Sequence, residues 1–344
     1  MDFDLLKKLT QTSGISGWEN RVREIMDRQF QTLGAEVSRD RLGNVIAHLP
    51  GKGPKMALAA HMDEVGLLVS KIEPEGFLRV IPVGDLDWRA CLSQTVIVHG
   101  REDLPGVVGS TPPGFSRPDP KGDKKAAWES CFVDLGLAPA EVEAKIKLGD
   151  PITFTPSWFE NQRSIYAKAL DDRAGLFVMI EAVKAAHKIN CDLHLIATVQ
   201  EEIGLRGVGP AVFGISPDIF IALEGTFSPD TPGLKLPANI SPTRVGLGPE
   251  IRISDRVMLS DRQLADWLSA LAGEAGLPCQ TAVKNFGNTD ASQAQVTSGG
   301  SRALALSVPV RYLHCPIGLV DKGDLKSTVE LTALALQQAD QFSV

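Results

Sequence analysis

Hydrophobic positions in the first forty residues fall on two helical stripes. Leu5, Leu6 and Leu9 share one face, and Val22, Ile25, Met26 and Phe30 repeat at helical intervals. A Gly-Ile-Ser-Gly turn, Gly14 to Gly17, separates them. The period then changes. Val45–Leu49 and Met56–Ala60 read as strands, the second apolar on both sides, as a central strand of a covered sheet should be. From about Gly66 to Trp158, short alternating runs such as FLRVIPV and QTVIVHG are separated by Gly, Pro and Asp. That pattern predicts a small β-rich unit, with Pro112–Lys125 as a polar surface loop. Beyond it the pattern predicts helices at Arg173 to Lys188, Asp261–Ala275 and Leu325–Phe342. Strands are predicted at Leu193–Gln200, Ile219–Leu223 and Leu304–Val308. Strands alternating with helices imply a layered α/β domain with a mostly parallel sheet. Residues 1–65 and 159–344 would form it, interrupted by a β-rich insertion at 66–158. No internal repeat or low-complexity tract interrupts this plan.

Composition narrows the class. A chain of 344 residues favours about two domains. With 43% hydrophobic and 22% charged residues, it is neither disordered, collagenous nor coiled-coil. No apolar run approaches the ~18 residues of a membrane-spanning helix. The net charge is −7 and the basic residues are scattered, so nucleic acid is not an expected partner. The opening MDFDLLKKLTQTSG lacks the apolar core and cleavage site of a secretory signal. Five cysteines (Cys91, Cys131, Cys191, Cys279 and Cys315) lie far apart without a C-x-x-C, as reduced thiols of a cytoplasmic protein would.

Five segments end a strand-like run with acids or imidazoles. In Ala59-Ala60-His61-Met62-Asp63, alternation places His61 and Asp63 on one side. This suits an imidazole metal ligand oriented by a carboxylate, or simply a structural pair. Leu170-Asp171-Asp172-Arg173 stands where a strand gives way to a helix, and one Asp suffices as an N-cap, leaving the other available. In Thr198-Val199-Gln200-Glu201-Glu202, consecutive side chains diverge. One carboxylate could then bind a metal while the other faces an attacking water; a solvated Glu pair is the plainer alternative. Ile221-Ala222-Leu223-Glu224 and Arg311-Tyr312-Leu313-His314 also place possible ligands just past strands. In open α/β sheets such positions converge at the strands' carboxyl ends. Together they form the inventory of a two-metal hydrolase.

HMDEVG, KALDDRAG, ATVQEEIGLRG, GNTDA and VPVRYLHCP, in this order, resemble the di-metal aminopeptidases related to glutamyl aminopeptidase and the tetrahedral (TET) aminopeptidases, some of which carry the label endoglucanase. The resemblance extends from SGISGWENRVREIM to the last helix. It implies a layered α/β/α catalytic domain with a smaller β-barrel-like insertion that serves oligomerisation. It also implies two divalent ions, Zn²⁺ or Co²⁺ foremost and Mn²⁺ as an alternative. His61 and Glu224 would hold one ion, Glu202 and His314 the other, and Asp171 would bridge. Glu201 would be the general base and Asp63 would orient His61. Asp290 would lie near the site. This chain departs from the family at Glu224, where Asp is usual, and at Asn288, where a second Gly is usual. The implied substrates are peptides with a free N-terminus, and the implied assembly is a homo-oligomer, commonly a dodecamer.

Other chemistries lack their signatures. There is no P-loop, dinucleotide fingerprint or G-x-S-x-G elbow. Cys315 is adjacent to His314 and therefore poorly placed to face it. His48, His99, His187 and His194 have no evident acidic constellation in the sequence. The remaining alternatives are a deacylase or carboxypeptidase on the same scaffold, a glycosidase using two carboxylates, and a catalytically impaired homologue.

Overall fold

The structure is a computed structural model describing residues 1–110 and 128–343. The loop predicted at Pro112–Lys125 lies outside the described residues. An eight-stranded mixed sheet forms the centre. Its order is β1 (Glu36–Arg39), β2 (Val45–Leu49), β12 (Asp192–Thr198), β3 (Lys55–His61), β13 (Ile219–Phe227), β16 (Arg302–Val310), β14 (Glu250–Ser254) and β15 (Gln280–Val283). The four central strands, β12, β3, β13 and β16, run parallel. Antiparallel pairing joins β2 to β12 and β14 to β16.

The two faces of β3 explain the layering. Met56, Leu58 and Ala60 pack into one apolar cluster, and Ala57 and Ala59 into another. The first cluster is covered by α1 (Asp4–Gln11), α2 (Asn20–Thr32), α5 (Leu170–Ala185), α7 (Arg262–Glu274) and α9 (Lys322–Gln338). All four residues of the predicted second stripe, Val22, Ile25, Met26 and Phe30, are buried there. The second cluster lies under α6 (Val208–Ile215) and α8 (Asp290–Gln295), and alanines on the sheet allow these short helices close approach.

Between the end of β3 and Trp158 the chain closes a six-stranded barrel. Its order is β4 (Gly66–Ile72), β5 (Leu78–Val83), β8 (Cys131–Asp134), β7 (Asp103–Ser110), β6 (Thr95–His99) and β9 (Pro151–Phe154). Its own core takes Cys91 from α3 (Trp88–Cys91) and Val142 from α4 (Pro139–Lys145). A three-stranded sheet of β10 (Trp158–Glu160), β11 (Ser164–Ala167) and β17 (Gly318–Asp321) completes the fold.

Two differences from the sequence pattern have physical causes. Strand β14, next to edge strand β15, carries buried charge that breaks the apolar signal: Glu250 accepts from Arg252 and from Lys284, which directly follows β15, and both are buried themselves. The predicted closing helix stops at Gln338, and the chain continues as a short 3₁₀ turn at Ala339–Gln341. By contrast, the helix expected from Asp261 begins as its cap chemistry dictates, the Asp261 side chain accepting from the Leu264 N–H at 2.8 Å.

Beneath the end of β3 lies a buried ion network. Lys168 Nζ donates to both Glu64 oxygens at 2.6 Å, and Arg173 stands 3.6 Å from Glu64. Arg173 also donates to the Met62 carbonyl, and Glu64 accepts from the Gly14 N–H at 2.9 Å. These bonds fix the turn that follows His61. Removing one partner of a buried pair leaves an uncompensated charge, typically costing about 3–5 kcal/mol. Lys168→Met should therefore lower stability by about that amount in denaturant titration, with an unchanged m-value. A loss below about 1 kcal/mol would contradict a central role for this network.

Candidate active site

Strand register brings the principal side chains to one level. Thr198 of β12 pairs with His61 of β3, while Ala222 of β13 pairs with Ala59, placing Glu224 level with His61. The carboxyl ends of these parallel strands open into a cleft of about 2000 Å³. His61, Asp171, Glu201, Glu202, Glu224 and His314 all line it.

Asp171 occupies the middle. Its Oδ1 lies 3.4 Å from His61 Nε2, and its Oδ2 lies 3.4 Å from His314 Nε2. His61 Nε2 is 3.7 Å from Glu224 Oε2, and His314 Nε2 is 3.3 Å from Glu202 Oε2. Two three-donor groups meet at Asp171, His61–Asp171–Glu224 and Asp171–Glu202–His314, and a third, His61–Glu201–Glu202, spans them; in each the donor atoms lie within 4.8 Å of one another. Glu201 does not join Asp171 in these groups; its Oε2 is 4.0 Å from His61 Nε2.

The two adjacent aspartates have separate environments because the backbone leaves helical angles at both Asp171 and Asp172 before α5 settles. Asp172 takes the structural position: its carboxylate accepts from the Gly175 N–H at 2.9 Å and the His61 N–H at 3.1 Å. Asp171 is left facing the cleft. Gly225 makes room for it, since a Cβ there would stand 2.8 Å from Asp171 Oδ1.

Asp63 holds more than His61. The His61 Nδ1 lies 3.1 Å from the Asp63 backbone carbonyl and 3.4 Å from its carboxylate. That carboxylate accepts from the Glu201 N–H at 3.0 Å, the Glu202 N–H at 3.1 Å and the Ser16 hydroxyl at 2.6 Å. The same group thus ties the end of β3 to the loop bearing the glutamate pair. Gln200, immediately before that pair, has a left-handed φ of 55°, which turns the chain sharply off β12. Asn44 braces the other side of the loop, accepting from the Val199 N–H and donating to the Gly207 carbonyl.

Electrostatics separates the groups further. Burial pushes the carboxyls of Glu201, Glu202 and Glu224 above the usual range, and neighbouring carboxylates add to the effect. Burial also raises the Asp290 pKa to about 6. Asp171 goes the other way: His314 and His61 outweigh burial and hold it well below the usual range. His314 is raised to about 11, burial opposing but Glu202 and Asp171 prevailing. Four carboxylates facing two imidazoles leave the site short of positive charge. Asp171 Oδ1 and Glu202 Oε1 are buried without a hydrogen-bond partner. Imidazole nitrogens and carboxylate oxygens of this kind suit divalent ions such as zinc, cobalt or manganese.

The remaining residues divide. Asp290 lies behind Glu224: its N–H reaches Glu224 Oε1 at 3.3 Å, and its carboxylate accepts from the Thr198 hydroxyl at 2.6 Å. Asn288 and Cys315 line the cleft. Burial raises the Cys315 thiol pKa, the opposite of an activated nucleophile. The expectation that His48, His99 and His194 lack acidic neighbours is corrected. His99 lies 2.6 Å from Asp103, and His48 and His194 share Asp192. Strand alternation offered a signal for Asp192 and His194, two residues apart on β12, whereas His99 and Asp103 meet as opposed residues across the β6–β7 hairpin. Ser16, Asn44, Glu64 and Lys168 are supports that the sequence does not single out, although Ser16, Glu64 and Lys168 lie within the SGISGWENRVREIM, HMDEVG and KALDDRAG segments.

Comparison with known proteins gives this arrangement a context. The family model for M42 glutamyl aminopeptidase matches residues 43–331. The lysyl aminopeptidase of Pyrococcus furiosus is 34% identical, the match covering 98% of this chain and 97% of that one. An aminopeptidase structure from Desulfurococcus kamchatkensis superimposes with a TM-score of 0.91 at 34% identity, covering 98% and 94% of the two chains. The TET1 peptidase of Pyrococcus horikoshii, described as assembling into a tetrahedron or a large octahedral shell, gives 0.84 at 33% identity, covering 97% and 98%. The α/β layers, the closed barrel and these similarities along nearly the whole chain establish that it belongs to the M42 glutamyl aminopeptidase family and is a peptide-bond hydrolase.

Proposed function

We propose that this chain is a two-metal aminopeptidase that removes N-terminal residues from peptides, with Glu201 as general base. The observation that carries this reading is the pair of three-donor groups meeting at Asp171. His61 and Glu224 would hold one ion, Glu202 and His314 the other, with Asp171 shared. Zn²⁺ or Co²⁺ suits the donors best, with Mn²⁺ a further candidate. When bound, the ions supply Lewis acidity toward the scissile carbonyl and the attacking water.

The chain's own residues account for the rest. Glu201 accepts the proton of the attacking water at a carboxylate oxygen and returns it to the leaving amine. Its burial supports this role by raising its proton affinity. Asp63 keeps Glu201 and Glu202 in fixed relation through their backbone N–H groups. Glu224 is one methylene longer than the Asp usual in the family, and the Asp290 N–H holds one of its oxygens. A carboxylate-rich wall also favours a substrate's protonated α-amino group over a blocked terminus.

The domain division accompanies the proposal: residues 1–65 and 159–344 carry catalysis, and 66–158 serve oligomerisation. A homo-oligomer, a dodecamer by analogy with the TET relatives, is the proposed assembly; light scattering that returned a monomer would overturn it. Among the described residues no helix is long and apolar enough to cross a membrane. A cytoplasmic location is proposed from the scattered cysteines, of which the structure buries Cys91, Cys131 and Cys191.

Activity on aminoacyl chromogenic substrates tests the central reading. Chelator dialysis should abolish cleavage of substrates with free N-termini, added Zn²⁺, Co²⁺ or Mn²⁺ should restore it, and N-acetylated counterparts should remain uncut. Equal cleavage of blocked substrates would point to a deacylase or carboxypeptidase. Full activity in verified metal-free protein would refute metal dependence.

A further inference from the structure

A second histidine cluster stands well away from the cleft. His48 on β2 and His194 on β12 are directly opposed across their antiparallel pair. Asp192 is two residues before His194, on the same strand face. The imidazoles stack with ring centroids 4.3 Å apart and planes within 7°. Both present Nε2 to one carboxylate: His48 lies 2.7 Å from Asp192 Oδ1, and His194 lies 3.7 Å from Asp192 Oδ2. One donor atom from each residue lies within 4.8 Å of the other two. Ligands bound tetrahedrally at 2.0–2.2 Å stand roughly 3.3–3.6 Å apart, and the two imidazole–carboxylate separations bracket that spacing; the rings must tilt out of their stack for both Nε2 lone pairs to meet at one ion.

A separate observation points to a ligand here. Both ring nitrogens of His194 are buried without a hydrogen-bond partner. A histidine kept only for packing would leave this polarity unsatisfied. Asp192 is additionally steadied by the Gly51 N–H at 3.4 Å. The nearby cation Lys55 donates its ammonium to the Ile215 carbonyl at 2.8 Å, which gives it a partner outside the cluster.

We infer that His48, Asp192 and His194 bind a divalent transition-metal ion, distinct from the pair proposed at the active site. Two imidazoles and a carboxylate suit Zn²⁺, Ni²⁺ or Cu²⁺ rather than Mg²⁺ or Ca²⁺. His194 is level with Ala57, four residues before His61, which is about 13 Å along β3. The ion therefore cannot share the active-site ligands. It clamps β2 to β12 at one end of the pair. Asn44 braces the opposite end, just before β2 begins, where it holds the loop of Glu201 and Glu202.

Titrating Cu²⁺ into the metal-loaded enzyme, read by electron paramagnetic resonance with elemental analysis of the resident ions, tests the inference. Wild type should take up one additional Cu²⁺ with two-nitrogen coordination. His48→Gln and His194→Gln should weaken that uptake by at least about tenfold while retaining peptidase activity. His48 lies at the more exposed position, so its variant preserves the test if His194→Gln does not fold. Absence of the additional copper signal in wild type, or an unchanged signal in either folded variant, would overturn the site.

Discussion

Four carboxylates and two imidazoles converge on one buried cleft, and this excess of negative charge is the constraint to which the surrounding structure answers. Asp171, Glu201, Glu202 and Glu224 come from separate segments that register and turns bring to the carboxyl edge of the parallel strands. Burial and mutual repulsion favour the neutral forms of Glu201, Glu202 and Glu224, whereas His314 and His61 hold Asp171 in its ionised form. Divalent cations would relieve that repulsion and use the same oxygens as ligands.

Holding such an arrangement requires supports that do not compete for the cleft. Asp63 ties β3 to the glutamate loop, Asp172 ties α5 to the His61 backbone, and Asn44 fixes the far side of the loop. Beneath them, Glu64 is matched by Lys168 and Arg173, so a second set of buried charges is balanced internally. The site thereby has two kinds of carboxylate. Some accept backbone N–H bonds and position the chain, whereas Asp171 and Glu202 retain an unpartnered oxygen toward the cleft.

Legibility in the sequence followed the same division. Strong periodicity revealed α2, β3, α7 and β13, whose apolar faces pack on extensive cores. The β-rich character between Gly66 and Trp158 was visible, but closure into a barrel depends on pairings such as β4 with β9 that no local pattern encodes. Strands β14 and β15 were hidden by the buried Glu250 and Arg252 within β14 and Lys284 just after β15. Within the site, acids and histidines near strand ends marked the cleft, although β13 runs on through Glu224 to Phe227, and the family resemblance distributed roles among them. The choice between Asp171 and Asp172 becomes physical only in three dimensions, where one carboxylate caps α5 and the other faces two imidazoles. Asn44 and Lys168 lie far from their partners in sequence, so their supporting contacts were not legible.

The adjacent glutamates provide the most direct test of the central claim that neighbouring carboxylates perform different tasks. The decisive measurement is bound metal per chain, alongside kcat, in Glu201→Gln and Glu202→Ala. Glu201→Gln should keep both ions while kcat falls by roughly 10²–10⁴-fold, since it cannot accept a proton. Glu202→Ala should lose at least one ion, because a ligand has been deleted. Loss of metal from Glu201→Gln with both ions retained in Glu202→Ala would contradict the assignment and exchange the two roles.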